Sequence, residues 1–430
     1  MLSFAGLALV GFVVALVVAL VLTPGVRRLA FKRGWVDQPD GERKLHKQPT
    51  PAVGGVAIFA GAVAGFTAVT LGAPLAGVGG VELPMVVVLG ALAMVGVGLW
   101  DDLRGLGFKT KLAVEVVVAY ALLLSDSSFL LDLTAVPYIG GDPYTHALFA
   151  IPITLAWIVG VMNAINLIDG IDGLAAGVGI IALASLAAAF GVEGNAVLLL
   201  IAVVMIGSLL GFLKHNFNPA SIFMGDSGSL FVGFVLAVFT LSGTGHANPL
   251  VALAIPILAL GLPIFDTVLS MVRRAIGRQA ICAPDRDHIH HRMTEKRSVR
   301  SAVISLYVVA GAFGLIAVAM SVTPASATPW LIGLAILGAA AFATTLGYVR
   351  RPYTPPALIE ATASPANNAV ASPGALQVAS SLDATEMTER AGESGDGTIV
   401  APQMEPMRGF FLRFSGRPRC AAGLAFDLVT

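Results

Sequence analysis

The sequence predicts an all-α polytopic membrane protein of about eleven transmembrane helices, with the N-terminus outside and the C-terminus cytoplasmic. Three observations carry that prediction. Of 430 residues, 56% are hydrophobic and only 12% are charged, whereas an average soluble domain has about 25% charged residues. Eleven windows approach the roughly 20 apolar residues that a bilayer requires. They lie near 4–22, 53–71, 84–100, 112–131, 147–165, 174–191, 195–213, 229–243, 248–276, 301–321 and 329–349. Lysine and arginine, finally, fall into alternate connections only, as positive-inside sorting demands.

The first window lacks a basic segment before it, and Arg27 and Arg28 follow it. It therefore reads as an uncleaved span rather than a signal peptide. Between windows one and two lie seven basic residues: Arg27, Arg28, Lys32, Arg33, Arg43, Lys44 and Lys47. Three more, Arg104, Lys109 and Lys111, separate the third and fourth windows. Lys214 follows the seventh, eight fall in 273–300, and Arg350 and Arg351 close the eleventh. The intervening loops near 72–83, 132–146, 192–194, 244–247 and 322–328 hold none, nor do the first 26 residues. One span too many or too few upstream would scramble this alternation. The eighth window is short and leans on its flanks. The ninth, near 248–276, is longer than a bilayer requires and contains Pro256 and Pro263. Each proline removes a backbone hydrogen bond, so a proline-broken helix is expected there.

Residues 1–351 thus read as one integral membrane domain, and 352–430 as a disordered cytoplasmic tail rich in Ala, Pro, Ser and Thr. Its end, RGFFLRFSGRPR, reads as unstructured, with contact to an anionic membrane surface as the alternative. A net charge of zero suggests no polyanionic partner and no nucleic acid. Cys282 and Cys420 fit no metal or redox spacing, and no structural disulfide is expected.

The polar chemistry gathers on the predicted cytoplasmic side, in five loops remote along the chain. NAINLIDGIDGL (163–174) places Asn163, Asn166, Asp169 and Asp172 at every third position between hydrocarbon flanks. Asp101 and Asp102 end the third window, and Asp226 lies in NFNPASIFMGDSGS after the seventh. Neighbouring carboxylates repel. A hard cation with oxygen ligands relieves that repulsion, and Mg²⁺ takes one or two carboxylates plus substrate phosphates. The bland readings are a helix cap or loop end for the Asp101–Asp102 pair and a tight turn for GDSGS. Three acid clusters on one face make a Mg²⁺–diphosphate site the better account. An EF-hand is excluded, because its residue order and distal Glu are absent.

Lys44, Lys47 and Lys111 can neutralise phosphates, and Arg286 and Arg292 can clamp them. For each basic residue alone, topological sorting explains it as well. His288, His290 and His291 form an HIHH run. Zinc lacks a fourth ligand, so hydrogen bonds to phosphate or sugar hydroxyls are the favoured reading, beside that of an incidental surface loop. Phe223, three residues before Asp226, suits stacking on a nucleobase, with an interfacial aromatic as the alternative. Asp266 is an intramembrane acid just past Pro263. It is either functional or a cap on the broken helix.

Together these residues resemble the polyprenyl-phosphate N-acetylhexosamine-1-phosphate transferases, closest to the group that transfers GlcNAc-1-phosphate from UDP-GlcNAc to undecaprenyl phosphate. The resemblance covers about 45–350. NxxNxxDGxDGL at 163–174 carries most of the specificity, supported by DDxxxL at 101–106, FMGDSGSL at 223–230, HIHH at 288–291 and PAVGG at 51–55. PDRDHIHHR and LPIFDT sit nearer the O-antigen and teichoic acid initiators than the lipid I synthase. The long tail has no counterpart in the family pattern. The resemblance implies Asp226 as the main Mg²⁺ ligand, with Mn²⁺ as a substitute. It implies Asp101 and Asp102 near the lipid phosphate and metal, and Asn166, Asp169 and Asp172 on the nucleotide side. Lys47 and Lys111 match active-site lysines, Phe223 the uracil-stacking aromatic, and His288, His290 and His291 the histidine motif.

The expected reaction transfers N-acetylhexosamine-1-phosphate from a UDP-sugar to undecaprenyl phosphate at the cytoplasmic face of the inner (plasma) membrane. UMP leaves, and a lipid-linked envelope glycan begins. A homodimer is compatible with this reading. The alternatives are phospho-MurNAc-pentapeptide transfer, a membrane transporter, whose coupling acids would lie near the midplane, and a non-catalytic scaffold.

Overall fold

The computed structural model describes residues 3–38, 48–77, 81, 83–133, 142–191, 195–242, 249–276, 288–295 and 297–346. The chain divides into two compact units, Met1–Val272 with Pro284–Arg351, and Arg273–Ala283 with Pro352–Thr430. Of the second unit only 273–276 belong to the described residues; the predicted tail and the predicted site residues Lys47 and Arg286 lie outside them.

Thirteen α-helices are described: α1 (Phe4–Arg33), α2 (Gly55–Gly72), α3 (Met85–Arg104), α4 (Phe108–Ser125), α5 (Pro143–Ile168), α6 (Leu174–Gly191), α7 (Ala196–Asn216), α8 (Gly225–Ser242), α9 (Pro249–Ala259), α10 (Gly261–Ile276), α11 (Ile289–Thr294), α12 (Val299–Val322) and α13 (Thr328–Thr345). The only β contact among the described residues is an isolated bridge between Asp37 and Thr50. The predicted all-α polytopic class is what the fold shows. Among the described residues nine elements are long and apolar enough to cross a bilayer, and α9 with α10 passes the same test as a pair bent by 84°. The remaining window, the fourth, is α4. It is 18 residues long and carries Lys109, Lys111 and Glu115 in its first half, so it has no charge-poor stretch of that length.

The bend falls where the prolines predict it. Pro256 cannot donate within α9, and Leu260, at the break, donates to the Pro256 carbonyl at 3.0 Å. Pro263 then sits in the first turn of α10, where a missing N–H costs nothing.

Packing follows small residues. On α1 the inward stripe is Leu7, Gly11, Ala15, Ala19 and Thr23, spaced by four. Opposite it, a Cβ at Gly207 or Gly211 of α7 would press on α1 backbone, at Phe12 and Leu16. Between lipid-bathed helices, close backbone approach of this kind supplies the dispersion contact that drives association. Val13, Val17 and Val21 of α1 face outward instead. α8 is buried along most of its length and packs against α2, α3 and α5, so it forms the axis of the bundle.

Candidate functional site

The C-terminal ends of α3, α5 and α7 meet the N-terminal ends of α8 and α12 at one end of the bundle. There they enclose a cleft of about 400 Å³ whose wall includes Asp102, Asp169, Asp172, Phe223, Asp226 and His291. A larger cavity of about 730 Å³ lies between α2, α3, α7 and α8 and is lined by no titratable side chain. The smaller cleft is therefore where acid, base or phosphate chemistry has its groups.

The 163–174 motif explains its own spacing. Steps of three residues on a helix of 3.6 per turn shift each position by about 60° around the axis. Asn163 points to α4, where its amide donates to the buried Glu115 carboxylate. Asn166 points to α8, donating to Asp226 Oδ1 and Ser229 Oγ, both at 2.8 Å. α5 then ends at Ile168. Asp169, just beyond, accepts the Gly225 amide; its enclosure, then the Asp226 and Asp102 carboxylates, hold it well above the usual carboxylate range. Asp172 Oδ2 accepts from Asn218 Nδ2 at 2.8 Å and from the Ala220 amide at 2.9 Å. Four polar side chains thus tie one segment to three other parts of the chain: α4, the first turns of α8, and the 218–220 stretch between α7 and α8.

The adjacent aspartates of α3 divide their work. Asp102 reaches the start of α8, accepting the Asp226 amide at 2.7 Å and the Ser227 amide at 3.1 Å. This satisfies donors that α8 leaves unpaired and places negative charge at the positive end of its dipole. Asp102 thus caps α8 rather than its own helix. Asp101 accepts the Leu106 amide and pairs with Lys111 at 3.1 Å. The Lys111 ammonium also contacts Asp226, so it bridges carboxylates from α3 and α8.

PAVGG serves as a brace. Phe223 donates to the Pro51 carbonyl at 2.8 Å, and Gly54 and Gly55 donate to the carbonyls of Phe223 and Met224 at 3.0 and 2.9 Å. This ladder sets Phe223 at the cleft wall and leads the chain into Gly225, whose φ of 72° turns it into α8.

The three histidines are not equivalent. His291 lines the cleft. His290 is 3% exposed and lies against Gly170, where a Cβ would come within 2.3 Å of its Nε2. His288 is buried against Asp266, with Nδ1 and Oδ2 3.0 Å apart. Only His291 of the three is therefore on the wall where a substrate group can reach.

Burial, with the neighbouring His291 and His288, pushes the His290 imidazole down to about 3. An unfolded histidine titrates near 6.5. Between those values the unfolded chain binds a proton that the folded chain refuses, so stability falls as pH drops below about 6.5. Such a group costs about 1.4 kcal/mol per pH unit. The thermal midpoint of the detergent-solubilised protein is expected to fall from about pH 7 to about pH 5, and less steeply in His290→Gln. Equal slopes would assign the effect to another group.

Among the described residues no group of three His, Cys, Asp or Glu side chains is set to hold a metal. Mg²⁺ bound through one or two carboxylates and substrate phosphates needs no such cage. Asp226, already matched by the Lys111 cation and opening on the cleft, fits that donor chemistry.

Glu115, Asn216, Ser229 and Tyr307 were not singled out from sequence. Asn216 accepts the Gly173 amide at 3.1 Å and donates to the Ile222 carbonyl at 3.0 Å, and Tyr307 donates to the Gly173 carbonyl at 2.5 Å. Glu115 carried a readable signal: it is the one acid in the apolar run 112–125, four residues after Lys111.

A model of the family described as glycosyl transferase family 4 matches residues 84–244. The chain is 40% identical over 323 residues to a probable undecaprenyl-phosphate N-acetylglucosaminyl 1-phosphate transferase of Bacillus subtilis (strain 168), covering 75% of this chain and 86% of that protein. It is 39% identical over 332 residues to the decaprenyl-phosphate N-acetylglucosaminephosphotransferase of Mycobacterium tuberculosis (strain ATCC 25618 / H37Rv), covering 72% and 81%. It is 34% identical over 263 residues to the phospho-N-acetylmuramoyl-pentapeptide-transferase of Rubrobacter xylanophilus, covering 57% and 77%.

Proposed function

Since the chain belongs to glycosyl transferase family 4, in its group of polyprenyl-phosphate N-acetylglucosamine-1-phosphate transferases, we propose that it transfers GlcNAc-1-phosphate from UDP-GlcNAc to undecaprenyl phosphate, releasing UMP. The observation that carries the reading is the polar cleft built by Asp102, Asp169, Asp226, Phe223 and His291 at one end of an apolar bundle. A lipid phosphate arriving along the bilayer and a soluble nucleotide sugar can meet only at such an end. The charge asymmetry of the loops supports a cytoplasmic placement of that end. The longer coverage of the GlcNAc-phosphate transferases favours GlcNAc over the MurNAc-pentapeptide.

In the reaction an oxygen of the lipid phosphate bonds to the β-phosphorus of the donor. The bond from that phosphorus to the oxygen bridging to the α-phosphate breaks, and UMP leaves with the electron pair. The second pKa of a phosphate monoester is about 6, so the nucleophile is ionised near neutral pH and needs no strong base. Asp102 has both oxygens engaged in holding the start of α8, which makes it a positioning group rather than a base or a covalent nucleophile. Asp226 would hold Mg²⁺, for which Mn²⁺ can substitute, and the ion when bound neutralises charge on the diphosphate. Lys111 adds fixed positive charge between Asp101 and Asp226. Phe223, His291 and Asp169, all on the cleft wall, take the nucleotide-sugar side.

The test is purified protein given undecaprenyl phosphate, Mg²⁺ and a panel of labelled UDP-sugars. UMP release is expected with UDP-GlcNAc above other UDP-N-acetylhexosamines. No release from any UDP-sugar would remove the enzyme reading. UMP exchange without lipid would replace direct displacement by a covalent intermediate.

A further inference from the structure

Asp266 stands apart from the other acids, because it lies on α10 of the broken span and is only 2% exposed. A carboxylate in such a place needs strong partners, since an uncompensated buried charge costs several kcal/mol. Its partners are both at the start of α11. Oδ2 lies 3.0 Å from His288 Nδ1, and Oδ1 accepts the Ile289 amide at 2.9 Å. α11 is six residues long, and its N-cap His288 makes no side-chain cap bond. A helix that short is not stable by itself. Its placement therefore depends on what holds its first turn, and Asp266 holds both the cap residue and the first amide. The next two residues are His290, against Gly170, and His291, on the cleft wall.

The choice of atom matters too. A carboxylate facing Nδ1 makes that nitrogen the protonated one, so the ring is fixed in tautomer as well as in orientation. The small buried face of α10 formed by Leu262, Asp266 and Ser270 contrasts with its exposed apolar Val268, Met271 and Val272. One carboxylate thus fastens the histidine helix to a lipid-facing element.

The geometry points to Asp266 as a positioning residue for the donor side of the cleft. By keeping His288 in its Nδ1–H form and fastening the Ile289 amide, it sets where His291 stands. This inference rests on the cleft being the nucleotide-sugar site. Of the two readings of Asp266 open at the level of sequence it favours the functional one, since the carboxylate holds the start of α11 and not the break in its own span.

The decisive variant is Asp266→Asn in the full-length protein. Asparagine keeps the size, and its oxygen still accepts from Ile289. Its NH₂ donates, however, and so imposes the Nε2–H tautomer on His288. The KM for UDP-GlcNAc is expected to rise about tenfold with kcat within about threefold. His288→Gln should shift KM in the same direction, and the double variant should be no worse than the worse single, because both act through one contact. Asp266→Glu should recover part of the loss. Independently, ¹⁵N-histidine NMR of the wild type, assigned by the signals lost in His288→Gln, should show Nδ1–H at His288. An unchanged KM in Asp266→Asn, additive effects in the double variant, or an Nε2–H ring in the wild type would overturn the inference. The NMR result decides it even where a variant does not fold. A wild type that releases no UMP would instead remove the enzyme reading and leave the Asp266–His288 contact to the NMR.

Discussion

Asp226→Asn folds and fails to turn over. The expected loss of UMP release is about a thousandfold or more, the scale seen when a group that stabilises transition-state charge is removed. Asp226 is the carboxylate on which the others converge. It contacts Lys111 of α4 and accepts from Asn166 of α5, while its own amide is held by Asp102 of α3. Asparagine at this position keeps the backbone contact to Asp102 and an oxygen for Asn166. It removes the charge that faces Lys111 and any divalent ion. A thermal midpoint near that of the wild type, together with lost UMP release, is the expected pair of results. Turnover above a tenth of the wild-type value would show that the site's charge is carried elsewhere, with Asp169 the next candidate.

Gly225→Ala should damage both folding and activity. Gly225 has φ of 72°, a backbone conformation that costs a residue with a Cβ about 1–3 kcal/mol in strain. Space is shorter still: a Cβ there would sit 1.9 Å from the Ala52 carbonyl oxygen and 2.7 Å from Asp102 Oδ2. The first contact is with backbone that the PAVGG ladder fixes, so it cannot yield cheaply. The second pushes away the carboxylate that caps α8. A fall in stability of at least about 2–3 kcal/mol is expected, with UMP release lost even in protein that remains folded. Gly25→Ala is the contrast. A Cβ there meets nothing within 4 Å, and alanine in a helix is better than glycine by about 0.5–1 kcal/mol. Comparable damage from both substitutions would show that the Gly225 turn has no special place in the site.

The fold class was legible because hydrophobic windows and charge alternation are one-dimensional signals. All eleven windows correspond to helices or to the bent pair, and the bend was announced by Pro256 and Pro263. The weak points were local. The fourth window begins its helix early, at Phe108, because Lys109 and Lys111 belong to the helix that the hydropathy window excluded. The gathering of Asp102, Asp169, Asp172, Asp226, Phe223 and His291 was also legible, since alternating spans force their loops to one end.

What the sequence by itself determined is the class of chain, the end of the bundle that carries the polar residues, and which residue types meet there. Those follow from the cost of placing charge in hydrocarbon and from the parity of the spans. What only the tertiary structure decided is the division of labour within the set. Asp102 caps a helix 124 residues away, Asp266 holds His288 across 22 residues, and Asn163 is committed to Glu115 rather than to a ligand. Such assignments depend on distances of about 3 Å between atoms on different helices. Helix periodicity fixes a side chain's direction around its own axis, but the partner it meets is set by packing between helices.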